Sequence, residues 1–185
     1  MNTGTVSFRY ASALMKFVSE TGNGELVYGQ VMRINGSLSS IPQLREVIDN
    51  PMSVPDAVKF ELLESALDGE EMAEELKRFI RLVMKNRRTK FLRWMFLSFI
   101  MLYREANGIK LSRLVTAVPA PDLEKRLAGI VKEKNGDSVL FEHYVDPGII
   151  GGFIFEIDGY RLDASTASQL KSVRRQFIEK NRRIV

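Results

Sequence analysis

The sequence predicts a mainly α protein, an N-terminal six-helix bundle followed by a small α/β C-terminal domain. Two observations carry this. Up to residue 107, apolar residues recur at three- and four-residue intervals in six successive stretches, and after Gly108 the pattern shifts to short β-type runs punctuated by Pro and Gly. The expected division is therefore 1–107 and 108–185. At 185 residues, 45% of them hydrophobic, the chain can bury a core without a staple, since a domain of about 150 residues hides roughly 70% of its unfolded surface.

Element by element, the opening helix places Tyr10, Ala13, Leu14, Phe17 and Val18 on one face, and Thr21-Gly22-Asn23-Gly24 stops it. Glu25 to Ile34 starts again through Leu26, Val27, Val31 and Ile34, with a break expected at Gly36 to Ser40. A short piece around Leu44 to Ile48 ends at Asp49-Asn50-Pro51-Met52-Ser53, where Pro51 denies a helix its interior geometry. Val54 to Leu67 resumes through Val58, Leu62 and Leu63. The fifth helix is expected from Glu70 to Asn86, with Leu76, Phe79, Ile80 and Val83 as its stripe, acids in its first turns and bases toward its end, the order that the helix dipole favours. Thr89 to Glu105 is the sixth helix and the most apolar, and Asn107-Gly108 ends it. Its run from Phe91 to Leu102 falls short of the roughly 20 residues that a membrane span needs, so it reads as a buried bundle helix.

Beyond Gly108, Leu114 to Val118 reads as a strand closed by Pro119 and Pro121. Asp122 to Asn135 reads as a helix, and Val139 to Val145 and Phe153 to Ile157 as further strands. Asp158-Gly159 signals a two-residue hairpin before Tyr160-Arg161-Leu162. Thr166 with Gln169 suggests a capping box for a last helix whose apolar face is Leu170, Val173 and Phe177.

Composition excludes much chemistry. The chain has no Cys, which removes disulfides, thiol nucleophiles and Cys-based zinc sites, and the lone His143 precludes a multi-His metal centre. That histidine sits between Glu142 and Tyr144 in an expected strand, where a structural role outweighs a catalytic one. The glycines of Gly148-Ile149-Ile150-Gly151-Gly152 run into a strand and not a helix, so they make neither a dinucleotide fingerprint nor a P-loop. Paired acids such as Glu70/Glu71 and Glu74/Glu75 read as a solvated first turn. No catalytic residue, metal or cofactor is expected.

The formal net charge is +4, and its distribution is uneven. Seven basic residues and no acid lie between Arg78 and Arg93, preceded by five acids from Asp68 to Glu75, while Lys171 to Arg183 is again basic. One functional reading of the first basic run is a helical nucleic-acid-binding module. The other informative feature is Leu82, about 60° from Phe79 around the helix axis and outside the core stripe, which widens the fifth helix's apolar face beyond one core contact; such a face fits either a partner's amphipathic helix or a helix buried on two sides. The N-terminus shows no basic segment followed by an apolar run, so neither a signal nor a transit peptide is read there.

The stretch from Val145-Asp146-Pro147-Gly148 through Gly151-Gly152-Phe153 to Asp158-Gly159, followed by Leu162-Asp163-Ala164-Ser165 and Gln169-Leu170, resembles the C-terminal signature of the delta subunit family of F-type ATP synthases, the family of the mitochondrial oligomycin-sensitivity-conferring protein. Arg9-Tyr10-Ala11-Ser12-Ala13-Leu14, Asn50-Pro51, Asn86-Arg87-Arg88 and Val115-Thr116-Ala117 are similar to further family motifs in the same order. The basic run around Lys85 to Lys90 is denser than the family pattern.

The resemblance implies a non-catalytic stator subunit of the proton-translocating enzyme, holding the catalytic head against rotor torque while ATP is made. Its bundle would bind the N-terminal helix of an alpha subunit in a groove between the first and fifth helices, through Tyr10, Ala13, Leu14 and Phe17 with Phe79, Leu82, Val83 and Asn86. Its C-terminal domain would grip the membrane-anchored b-subunit stalk. There Gly148, Gly151 and Gly152 would shape the domain, Asp163 and Ser165 would set up the last helix, and Arg174 and Arg175 would meet acids of the stalk. The implied place is peripheral, at the cytoplasmic face of a bacterial inner membrane, with membrane association indirect through the complex, one copy per complex and no nucleic acid bound.

Overall fold

A computed structural model describes residues 3–50, 54–135 and 138–182. Residues 51–53, in which the break after Asn50 was expected, lie outside the described residues. By its contacts the chain divides into two compact units, Met1–Ala106 and Asn107–Val185.

The first unit is helical: α1 (Thr3–Thr21), α2 (Gly24–Ser40), α3 (Pro42–Asp49), α4 (Asp56–Ser65), α5 (Glu74–Lys85) and α6 (Leu92–Ala106), the last preceded by a 3-10 turn at Thr89–Phe91. Its core joins Leu14 and Val18 of α1 to Val27, Val31 and Ile34 of α2, Leu76, Ile80 and Val83 of α5, and Met95, Phe96 and Phe99 of α6. The apolar α6 run is thus core. Among the described residues no helix is long and apolar enough to cross a membrane.

Two of the bundle's boundaries differ most from expectation. α2 continues through Gly36 to Ser40 because Leu38 is buried on its inner face, and Ser39 and Ser40 donate their hydroxyls to the carbonyls of Asn35 and Gly36. Small polar residues that often end a helix are here held by packing. In the other direction, α5 starts at Glu74, not Glu70. Asp68 and Gly69 both take positive φ, and the buried Gln30 of α2 then holds the following segment away from helix. Its amide nitrogen donates to Glu71 O at 2.9 Å and its carbonyl accepts from Ala73 N at 2.8 Å, while Met72 is buried beside them. One side chain thus supplies the backbone partners that helix would have provided.

Lys59 of α4 is fully buried, and its Nζ donates to Asn50 O at the end of α3. A cation on a helix's last carbonyls is favoured by the macrodipole.

The second unit is a mixed sheet in the order β2-β1-β3-β4 with two helices: β1 (Ile109–Thr116), α7 (Pro121–Asn135), β2 (Ser138–Val145), β3 (Phe153–Ile157), β4 (Tyr160–Asp163) and α8 (Thr166–Arg182). β1 runs parallel to β2 and antiparallel to β3. Alternation along β1 buries Ser112, Leu114 and Thr116, and leaves Leu111 and Arg113 on the open face. β1 begins five residues earlier than expected and stops two earlier, because the central position in the sheet pairs Ile109 to Arg113 with β2 despite their polar content. Asp158 and Gly159 both take positive φ, the type I′ geometry that the hairpin signal predicts.

Candidate functional site

The fifth helix and the first lie side by side, and named contacts fix their direction. Asn23, just past α1, donates to Glu75 at 2.8 Å; the Arg78 guanidinium lies over the Phe17 ring; Tyr10 meets Phe79 edge-on and accepts from Asn86 at 2.9 Å. α1 and α5 are therefore antiparallel, with Tyr10 at the C-terminal end of α5. Glu75 is only 5% exposed, and the Asn23 amide foremost holds its carboxyl below the usual glutamate range.

The groove residues separate by depth. Leu14, Phe79 and Val83 belong to the core, Tyr10 and Phe17 are half-buried, and Ala13, Leu82 and Asn86 are exposed. Leu82 is 49% exposed on a helix whose neighbouring apolar residues are buried.

The Asn86-Arg87-Arg88 motif has a geometric reason. Arg88 N donates to Val83 O and Arg87 N to Met84 O, a Schellman closure of α5 with Arg87 at φ 53°. This turn aims Arg88 at α1, where it donates to Tyr10 Oη at 3.2 Å and lies over that ring. Helical spacing alone did not reveal that link. Three others of the basic run lie over different rings: Arg81 over Phe60, Lys90 over Phe91 and Arg93 over Trp94.

In the second unit the glycine-rich segment is a compact corner. Asp146 accepts from Gly148 N at 2.8 Å, a 3-10 turn covers Pro147–Ile149, and Ile149 is buried under it. Gly152 has φ +73°, and a Cβ there would run into the Ala164 carbonyl. Only glycine fits. Gly151 O accepts from Thr166 N at 2.9 Å, which ties this corner to the start of α8.

That start is built by Asp163 and Ser165. The Asp163 carboxylate accepts from Ser165 N at 3.0 Å, Ser165 Oγ at 2.6 Å and Ser168 Oγ at 2.8 Å, and these bonds, from Ser165 first, hold it below the usual aspartate range. Ser168 N in turn donates to Ser165 Oγ at 3.3 Å. The cap is therefore Ser165, not the expected Thr166, because Thr166 is already the first helical residue and its N–H goes to Gly151. On α8 the apolar residues Leu170, Val173, Phe177 and Ile178 are all about half exposed or more, with Arg174 and Arg175 exposed beside them.

His143 is structural. Its Nδ1 faces Glu124 Oε1 of α7 at 2.7 Å and its Nε2 faces Thr116 Oγ1 at 2.7 Å. The connectivity is that of a nucleophile, base and acid. Yet the Thr116 hydroxyl donates to Val118 O at 2.6 Å and is buried, so it has neither a free proton to give nor access to a substrate. The three groups clamp α7 to β1 and β2. Among the described residues no group of three or more His, Asp or Glu side chains could hold a metal ion. On the open sheet face Arg113 sits in register between Glu142 and Glu156, and Arg161 pairs with Glu156 at 3.1 Å.

Comparison with known proteins fits this architecture. The family model described as ATP synthase delta (OSCP) subunit matches residues 6–177. Proteins named ATP synthase subunit delta are similar over their full lengths, 45% identical in Phocaeicola vulgatus and 43% in Bacteroides fragilis, with all of each chain covered. A chain of the Toxoplasma gondii mitochondrial ATP synthase hexamer shares the fold at a TM-score of 0.65 and 19% identity, over 93% of this chain and 97% of that one. With both the bundle and the glycine corner inside the matched span, the chain belongs to the ATP synthase delta (OSCP) subunit family.

Proposed function

We propose that this chain is the non-catalytic stator joint of an F-type ATP synthase. Its first unit receives the amphipathic N-terminal helix of an alpha subunit in the α1/α5 groove, and its second unit grips the b-subunit stalk. One copy per complex serves this role, peripheral at the cytoplasmic face of a bacterial inner membrane. The observation that carries the head-binding half is Leu82, a large apolar side chain half exposed on the face of α5 that meets α1. Exposed apolar area at helical spacing is what a helix-in-groove contact uses. The stalk-binding half draws on the exposed stripe Leu170, Val173, Phe177 and Ile178 of α8, flanked by Arg174 and Arg175.

The joint has mechanical work and no chemistry of its own. It must keep the head from turning with the rotor, so its requirement is two separate, torque-resistant contacts. Leu82→Asp tests the first. Because Leu82 is half exposed, the bundle should keep its helical circular dichroism and melting temperature, while calorimetric titration with a peptide of the alpha N-terminus shows affinity reduced by about tenfold or more. Unchanged affinity removes this groove assignment.

A further inference from the structure

We infer that Ile150, held outward by a strained turn, is the apolar anchor that fixes where the b-subunit helix sits along α8. This rests on the stalk reading above and names a residue outside α8 that completes the contact.

Gly151 N donates to Ile149 O at 2.8 Å, which makes Ile150 the centre of a γ-turn. Its φ of 69° and ψ of −40° give the positive form of that turn, which is rare and strained. A β-branched side chain crowds the backbone there, whereas Gly and Asn take positive φ at small cost. The surroundings enforce the conformation. Ile149 is buried on one side, Gly152 on the other has no room for a Cβ against Ala164 O, and Gly151 O is tied to Thr166 N. Yet Ile150 itself is 63% exposed, so burial in its own domain does not account for a β-branched apolar residue at this φ.

The place of the turn does account for it. A Cβ on Gly151 would come within 2.9 Å of Thr166 Oγ1, so the turn lies against the first residue of α8. At about 100° per residue, Thr166, Leu170, Val173 and Phe177 fall within roughly 60° of one another around the helix. Ile150 therefore stands at the N-terminal end of the exposed line Leu170, Val173 and Phe177. Side chains on α8 repeat with each turn and permit a partner helix to slip by one turn; a single projecting residue on a pinned corner does not. A β-branched side chain also has few rotamers to lose on binding.

Charge identifies the occupant. Lys171, Arg174 and Arg175 flank the line, and among the described residues no carboxylate pairs with them. Between Thr166 and Glu179 the only acid is Glu179, so a second copy of this chain would bring like charges together. A stalk helix with an apolar stripe and acidic margins covers the line and meets the cations.

The test titrates the full chain with the recombinant b subunit lacking its membrane anchor, by calorimetry. Ile150→Asn eases the turn and removes the apolar group. It should hold or raise the urea midpoint of the second unit and raise the Kd about tenfold, while Ile150→Leu, which keeps the apolar group, should stay near the unmutated Kd. A residue that only shaped the corner would move the midpoint and leave the Kd. An unchanged Kd in Ile150→Asn, with Phe177→Asp still weakening the complex, overturns the anchor and leaves the stalk reading intact. A lowered midpoint in Ile150→Asn overturns the strained turn as its basis. Failure of the unmutated chain to bind the b subunit removes the stalk reading and this inference together.

Discussion

Asp163 shows how one carboxylate organises an element boundary. It accepts three hydrogen bonds from Ser165 and Ser168, and its carboxyl lies below the ordinary value of 3.8. A depressed native value contributes stability that is present above that ordinary value and lost as pH falls below it toward the native one. Acid titration should therefore loosen the start of α8, read as a fall in the protection factors of the Ser165 and Ser168 amides relative to their intrinsic exchange at each pH, and Asp163→Asn should remove that pH dependence. Gly152 is the other residue on which the corner depends. Gly152→Ala puts a Cβ into the Ala164 carbonyl at a positive φ and should destabilise the second unit by at least about 2 kcal/mol in denaturant titration, with the bundle transition unchanged. The glycine motif in the sequence marked this position. The clash that makes it obligatory involves a residue twelve positions on, which local spacing does not show.

At the scale of elements, Gln30 explains why a helical-looking stretch is not helix. The acids from Glu70 onward have the composition of a first turn, but Gln30, forty residues earlier, takes Glu71 O and Ala73 N instead. Gln30→Leu takes the partner from the Glu71 carbonyl and the buried Ala73 N–H, and should cost about 1–3 kcal/mol on chemical unfolding. A fall of under about 0.5 kcal/mol would show that the segment has other support. The same geometry sorts the groove. Periodicity placed Phe79 and Val83 on the core stripe and Leu82 beside it, and burial agrees, yet only packing shows that Leu14 is spent on the core while Ala13 faces outward. Arg88 joined the site through the Schellman turn at Arg87, a backbone feature without a glycine to announce it.

For the whole molecule, the two units bury unequal cores. The continuous apolar cluster lies in the bundle, whereas the buried apolar side chains of the second unit are Leu114, Ile149 and Phe155 among the described residues. With stability drawn from buried apolar area, the second unit should unfold first. Urea titration followed by amide exchange should show two transitions, β1 to β3 losing protection before α5 and α6; a single coincident transition would mean that the units unfold together. What the amino-acid sequence determined by itself was the helical period of the first half, the switch to strands after Gly108, the Asp158-Gly159 hairpin and the glycine corner, because each is local backbone chemistry. Tertiary structure alone decided where α2 ends and α5 begins, which side of α1 packs inward, how Thr116, His143 and Glu124 come together, and that Arg88 meets Tyr10. Those outcomes depend on partners tens of residues apart, and a side chain's burial is set by what packs against it, not by its neighbours along the chain.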